Sequence, residues 1–224
     1  MTDPPVPEPP ISRARLEVTA AVRDLAHAIA AADSDDTTLG RATELVRAAA
    51  AVLDDAPRRR RAIPDFSTLT ALRDAGVDVA EYAMGDRAVA GPANPTSVHM
   101  VPRRDGDEAV ADVWFGPAFE GAPGRVHGGL VAAVFDDLTG FVLAIVREPG
   151  FTGRLTVNYH APVPIETTVE FRARYREREG RKLYVDAEAR FGDQLLATAE
   201  ALFILVDQEH FATHANELFR RRAE

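Results

Sequence analysis

The chain has 224 residues, 46% of them hydrophobic, enough for one sizeable core with a small accessory helical unit beside it. A net charge of −9 argues against a nucleic-acid scaffold, since phosphate contacts need a basic surface, and the absence of cysteine excludes disulfides, thiolate nucleophiles and Cys-ligated metals. No run approaches the roughly eighteen apolar residues of a membrane span, and the N-terminus has neither a basic nor an apolar targeting region, so a cytoplasmic location is expected.

Residues 1–10 contain five prolines and read as a disordered tail. Residues 11–56 read as two amphipathic helices. Val18, Val22, Leu25 and Ile29 form the first stripe; Leu39, Ala42, Leu45, Val46, Ala49, Val52 and Leu53 form the second. Asp33 to Asp36 breaks between them, and Thr37 or Thr38 offers a cap for the second helix. Such an αα-hairpin must bury its stripes against each other, the main domain or a partner chain. Residues 57–93 read as an irregular linker with a short helix near Leu69 to Asp74. The run Arg58-Arg59-Arg60-Arg61 within it is either a solvated linker or a local basic patch.

From Ser97 the period changes to two. Val98, Met100 and Pro102 alternate with polar neighbours, a turn falls at Asp105-Gly106-Asp107, and Val110 to Phe115 returns. A Gly/Pro-rich stretch then ends in His127-Gly128-Gly129 and opens into an apolar helix running to Val146. Alternation resumes afterwards. Leu155, Val157 and Tyr159 line one face; Val169, Phe171, Ala173 and Tyr175 line the next, opposite Glu170, Arg172, Arg174 and Arg176. Leu183 to Phe191 and Leu195 to Val206 follow. Five strands with one long helix after the second imply an α+β domain over residues 94–207, an antiparallel sheet wrapped around a central helix. Residues 208–224 read as a tail with at most a short polar helix.

The central helix carries the strongest signal. It is apolar on nearly every side, as a buried helix is, yet holds Asp136 and Asp137 at its middle. A dry carboxylate without partners costs several kcal/mol, so hydrogen bonds or function must offset it. Burial would also raise the pKa of Asp136, as suits a group that activates water. The helix start offers N–H groups carrying roughly half a positive charge, suited to the oxyanion of an acyl-transfer intermediate. Glycines at 128 and 129 keep no side chain between a bound carbonyl and the backbone, though they equally suit a tight turn.

The run E-G-x-P-G-x-x-H-G-G from Glu120 to Gly129, an Asp nine residues after the His, and T-G-R-L-T-V-N-Y-H-A-P from Thr152 to Pro162 resemble the hotdog-fold acyl-CoA thioesterases. Among these they are most similar to the thioesterase-superfamily-member and phenylacetate-pathway-type branch. The likeness covers about half the chain, Asn94 to Asp207. It implies a hotdog fold with the N-terminal helices outside it, and thioester hydrolysis at a site built across a homodimer or a dimer of dimers.

Carried over by residue, the resemblance implies Asp136 as base or nucleophile, the Gly128 amide as oxyanion donor, His127 as its polarising neighbour and Thr152 as holder of the attacking water. Asn158, His160, Arg178, Arg181 and Lys182 fall at positions contacting coenzyme A, which is part of the substrate; no separate cofactor is implied. A related branch has Asn six residues before the His, where this chain has Gly121. Geometry adds that Gly128 and Asp136, eight residues apart, are about 12 Å apart along one helix. One helix therefore cannot offer both to the same carbonyl, and a second copy must supply one of them. No metal site is expected: His210 and His214 stand at i, i+4 without the Glu of a zinc-protease helix, and the six histidines do not cluster. Two other readings stay open, a non-catalytic acyl-CoA-binding or structural module and a hotdog dehydratase.

Overall fold

The computed structural model describes residues 11–57, 85–98 and 100–207. The expected N-terminal tail, the arginine run, the short helix near Leu69, His210, His214 and the C-terminal tail all lie outside these residues. Helix α1 spans Arg13–Ala31, capped by Ser12, and α2 spans Asp36–Ala51. The cap of α2 is Asp35, whose carboxylate accepts the Thr38 N–H at 2.8 Å, rather than Thr37 or Thr38. An ionised side chain at that position is stabilised by the helix dipole as well as by the hydrogen bond.

Six strands form one antiparallel sheet in the order β1-β2-β4-β5-β6-β3: β1 Arg103–Asp105, β2 Glu108–Trp114, β3 Gly150–Tyr159, β4 Thr168–Glu179, β5 Lys182–Phe191 and β6 Gln194–Leu205. The runs read from sequence, two before the helix and four after it, already number six rather than five, and the first arm of the hairpin is β1. That arm is also shorter than the alternation from Ser97 suggests. Val98 and Met100 are buried in the core without belonging to a strand, so their spacing records burial and not pairing.

Helix α3, Gly128–Val146, lies across this sheet, with Val131, Val134, Phe135, Leu138, Thr139, Val142 and Leu143 buried. By length and composition it could cross a membrane, but this buried face marks a core helix. Phe171 of β4 meets Phe135 of α3 edge-on at 5.1 Å and Phe115 at 6.1 Å, which fixes the helix over the centre of the sheet. The helix is not covered all round. Gly129, Ala133, Asp136, Gly140 and Ala144 recur along one open stripe, and β3 is the strand at one edge of the sheet among the described residues.

The N-terminal helices dock with an unexpected face. The apolar stripe of α1 stays in solvent on the single chain, with Val18 51% and Ile29 52% exposed, as does Leu45 of α2 at 65%. Instead Thr19, Arg23 and His27, four residues apart, face the domain. The Thr19 hydroxyl and Arg23 Nη1 donate to the Pro92 carbonyl at 2.8 and 2.9 Å, and Arg23 also reaches the Asn94 carbonyl. His27 Nδ1 accepts the Ala118 N–H at 3.2 Å, and its ring meets Trp114 and Phe119 edge-on. Polar side chains win this face because they satisfy backbone groups that an apolar stripe would leave unpaired.

Asp137 anchors a second segment to α3. Its carboxylate accepts the Ala90 N–H at 3.0 Å and lies 3.5 Å from Arg87 Nη1, and its side chain is 16% exposed. Burial raises its pKa above the usual aspartate value of 3.8, opposed by Arg87 and the Ala90 N–H. The folded state thus holds this proton more tightly than the unfolded chain. The stabilisation is full below the unfolded value and is lost as pH rises through the folded one. We expect Asp137→Ala, which leaves the Ala90 N–H without its acceptor, to lose about 1–3 kcal/mol in urea unfolding. It should also lack the wild-type decline in stability as pH climbs above 3.8.

Candidate active site

The segment leading into α3 is held by its own backbone. After a 3-10 turn at Pro117–Phe119, residues Glu120 and Val126 bridge, Gly124 adopts φ +76°, and the Glu120 carboxylate accepts the Gly124 N–H at 2.6 Å. The Phe119 carbonyl accepts the His127 N–H at 3.0 Å, and the Val163 carbonyl accepts that of Val126 at 2.9 Å. At Gly121 a Cβ would stand 2.8 Å from His127 Cα, so no side chain fits there. An Asn at this position, as in the related branch, would require the loop to move.

His127 is the N-cap of α3. Its Nδ1 accepts the Gly129 N–H at 3.0 Å, and its carbonyl accepts the Leu130 N–H at 2.9 Å. Among the described residues the Gly128 N–H meets no acceptor, since the first residue of a helix has no intrahelical partner. Of the first three donors, Gly128 alone is left to point at a ligand. A neutral imidazole accepting at Nδ1 carries its proton on Nε2, so His127 keeps a second donor on the far side of its ring.

Asp136 sits eight residues on, exposed on the open stripe of the single chain. The Thr152 hydroxyl, on the helix-facing side of β3, donates to its Oδ1 at 3.0 Å. The desolvation expected at Asp136 falls on Asp137 instead. Successive helix residues differ by about 100° in direction, and that step turns one carboxylate to the open stripe and the other towards Arg87 and Ala90.

Residues 123–201 match the model of the thioesterase superfamily. Relatives include the acyl-coenzyme A thioesterase THEM4 of Mus musculus, 37% identical over 92 residues that cover 40% of each chain, and that of Bos taurus, 33% identical over 100 residues covering 44% of this chain and 41% of that protein. The crystal structure of a thioesterase superfamily protein superposes with a TM-score of 0.73 at 24% identity, over 89% of this chain and 98% of that one, and shows a common fold. The chain has this hotdog fold, and its likeness to the thioesterase superfamily covers residues 123–201. It spans about two fifths of the length of the curated relatives it matches.

Within the hotdog domain, one chain brings Thr152 to Asp136, and His127 to the amides of Gly128 and Gly129. It does not bring the remaining positions to either pair. Asn158 and His160 lie on the outer face of the sheet, where His160 Nε2 and Thr198 Oγ1 are 2.9 Å apart. Asn158 lines a polar groove of about 340 Å³ there with Arg172, Arg174, Asp186 and Thr198, across the sheet from Asp136. Arg178, Arg181 and Lys182 stand at the β4–β5 turn. Arg178 is ion-paired with Glu148 just beyond α3, and Arg181 Nε donates to the Leu205 carbonyl at 3.0 Å. The hotdog domain also contains a side chain that sequence reasoning assigned no role: the Tyr159 hydroxyl donates to the Gly128 carbonyl at 2.7 Å.

Proposed function

We propose that the chain is a thioester hydrolase that converts an acyl-CoA to the free acid and coenzyme A, acting as a homodimer and without a cofactor of its own. The observation that carries this reading is the Asp136 carboxylate held by Thr152 on the open stripe of a helix whose first N–H is also open. Water bound between Asp136 and Thr152 gives a proton to the carboxylate and adds to the thioester carbonyl carbon. The oxygen becomes an oxyanion facing the Gly128 N–H and His127 Nε2–H. Collapse expels the thiolate, which takes the proton from Asp136, and the C–S bond is replaced by C–O. Direct attack by Asp136, followed by hydrolysis of the anhydride, uses the same residues.

The two halves belong to different protomers. About 12 Å of helix separates Gly128 from Asp136, whereas both must stand within about 3 Å of one reacting group or its water. The open stripe of α3 adjoins the edge strand β3, whose Thr152 reaches Asp136, so a second copy added antiparallel along that stripe would set Asp136 against Gly128 of the partner subunit. The small side chains at Gly129, Ala133, Gly140 and Ala144 leave room for such an approach. Arg178, Arg181 and Lys182, near the Thr152 end of the sheet, suit the phosphates of coenzyme A by charge. The roles suggested by resemblance for Asn158 and His160 require the ligand to reach the outer face.

The test is release of free thiol from short, medium, long and aryl acyl-CoAs by the purified protein. Turnover on one class establishes the hydrolase. Binding without turnover on any class moves the reading to a non-catalytic acyl-CoA-binding module. Within an active enzyme, Thr152→Val keeps the shape and removes the hydroxyl, and should lower kcat about tenfold with little change in KM.

A further inference from the structure

Two consecutive glycines open α3, and glycine has the weakest backbone preference of any residue, so the peptide planes there need an outside hold. The plane between Gly128 and Gly129 has one at each end. Its carbonyl accepts the Tyr159 hydroxyl at 2.7 Å, and its N–H donates to His127 Nδ1 at 3.0 Å. Tyr159 is itself fixed, because β3 pairs with β6 in a register that sets Tyr159 opposite Ala197 on the helix-facing side. The ring also lies against the helix start: a Cβ at Gly128 would stand 3.4 Å from it.

These contacts form one chain, from phenol O–H to peptide to imidazole. A donor at a peptide oxygen polarises the amide and strengthens the bond its N–H makes, by about 10–30% per link. A stronger bond into Nδ1 keeps that nitrogen an acceptor, so the imidazole proton stays on Nε2 and faces away from the helix start. The open Gly128 N–H lies in the preceding peptide, which is held separately by the Leu130 N–H donating to the His127 carbonyl at 2.9 Å.

We infer that Tyr159 is a positioning residue: it holds the Gly128–Gly129 peptide, and through the Gly129 N–H it fixes His127 in the tautomer whose Nε2–H serves the thioester oxygen. Tyr159 acts through the Gly128–Gly129 peptide and His127. The inference rests on the thioesterase reading for its kinetic consequence and on the hydrogen bonds alone for its structural one.

The variant Tyr159→Phe keeps the ring and removes only the hydroxyl. It should lower kcat about tenfold with KM within about twofold and the melting temperature little changed. In 15N-labelled protein the Gly129 amide proton should move upfield, reporting a weaker bond to His127. On a His127→Asn background, which retains a capping side chain, the same substitution should cost about twofold at most, because the imidazole it positions is gone. Unchanged kcat, or kcat, KM and melting temperature falling together, would overturn the positioning role, as would a full tenfold loss on the His127→Asn background. A wild type that releases no thiol while the Gly129 amide still moves would sink the thioesterase reading and leave the hydrogen-bonded chain standing. A Gly129 amide that stays in place would sink the chain whatever the turnover.

Discussion

Asp136→Asn is expected to lower kcat about 10³-fold while KM stays within a few-fold of wild type, the magnitude general-base catalysis commonly supplies. The substitution is nearly isosteric, and its amide oxygen can still accept the Thr152 hydroxyl that now lies 3.0 Å from the carboxylate, so the local fold has no reason to change. What disappears is the capacity to take a proton from water or to attack a carbonyl. Steady-state kinetics with the best acyl-CoA, beside a binding isotherm for the product coenzyme A, separates lost chemistry from lost affinity. Asp137→Asn serves as the control. That neighbour faces Arg87 and the Ala90 N–H, so its variant should change stability and leave kcat close to wild type. If both variants turned over normally, the base would lie elsewhere or the domain would only bind its ligand.

The contrast between these two aspartates also shows what the sequence could and could not reveal. The motif from Glu120 to Gly129 and the position of Asp136 in an apolar helix are local patterns, whereas Thr152 was singled out only through the resemblance, and its bond to Asp136 is seen in the structure. The choice of which carboxylate is buried is not local. It depends on Arg87 and Ala90, 50 and 47 residues away along the chain, in a segment without a periodic signature. Tyr159 was hidden for the same reason: at its place in an alternating strand it reads as one more inward side chain, and only the return of β3 beneath the start of α3 gives its hydroxyl a partner 31 residues distant.

Hydrophobic periodicity misled where polar groups had stronger claims. The stripes of α1 and α2 correctly indicate helices, but α1 meets the domain through Thr19, Arg23 and His27. Their own spacing of four residues was the available signal, and it had no weight until the carbonyls of Pro92 and Asn94 and the Ala118 N–H were known to face them. His27 thereby braces the turn whose Phe119 carbonyl holds the His127 N–H, which ties the N-terminal helix to the candidate site through a single turn of backbone.

Gly128→Pro isolates the oxyanion donor more cleanly than any side-chain truncation. Gly128 is the first residue of α3, where proline is well tolerated because the N–H it lacks has no helical partner. The preceding His127 has φ −60° and ψ 125°, the extended conformation that a following proline requires. The added Cβ meets Tyr159 at 3.4 Å, an ordinary contact. The substitution thus removes one hydrogen-bond donor and leaves the helix start intact, and kcat should fall about 10²- to 10³-fold with the melting temperature nearly unchanged. It also tests the division of the site between protomers. Neither Gly128→Pro nor Asp136→Asn should turn over alone, but in a mixed dimer one site would join the intact Asp136 of the first protomer to the intact Gly128 of the partner subunit. Random reassortment of equal amounts makes about half the dimers mixed, each with one working site of two, so activity should recover to about a quarter of wild type. No recovery after verified exchange of subunits would mean that both groups serve one carbonyl from a single chain, which about 12 Å of straight helix does not permit, or that the Gly128 amide is not the donor.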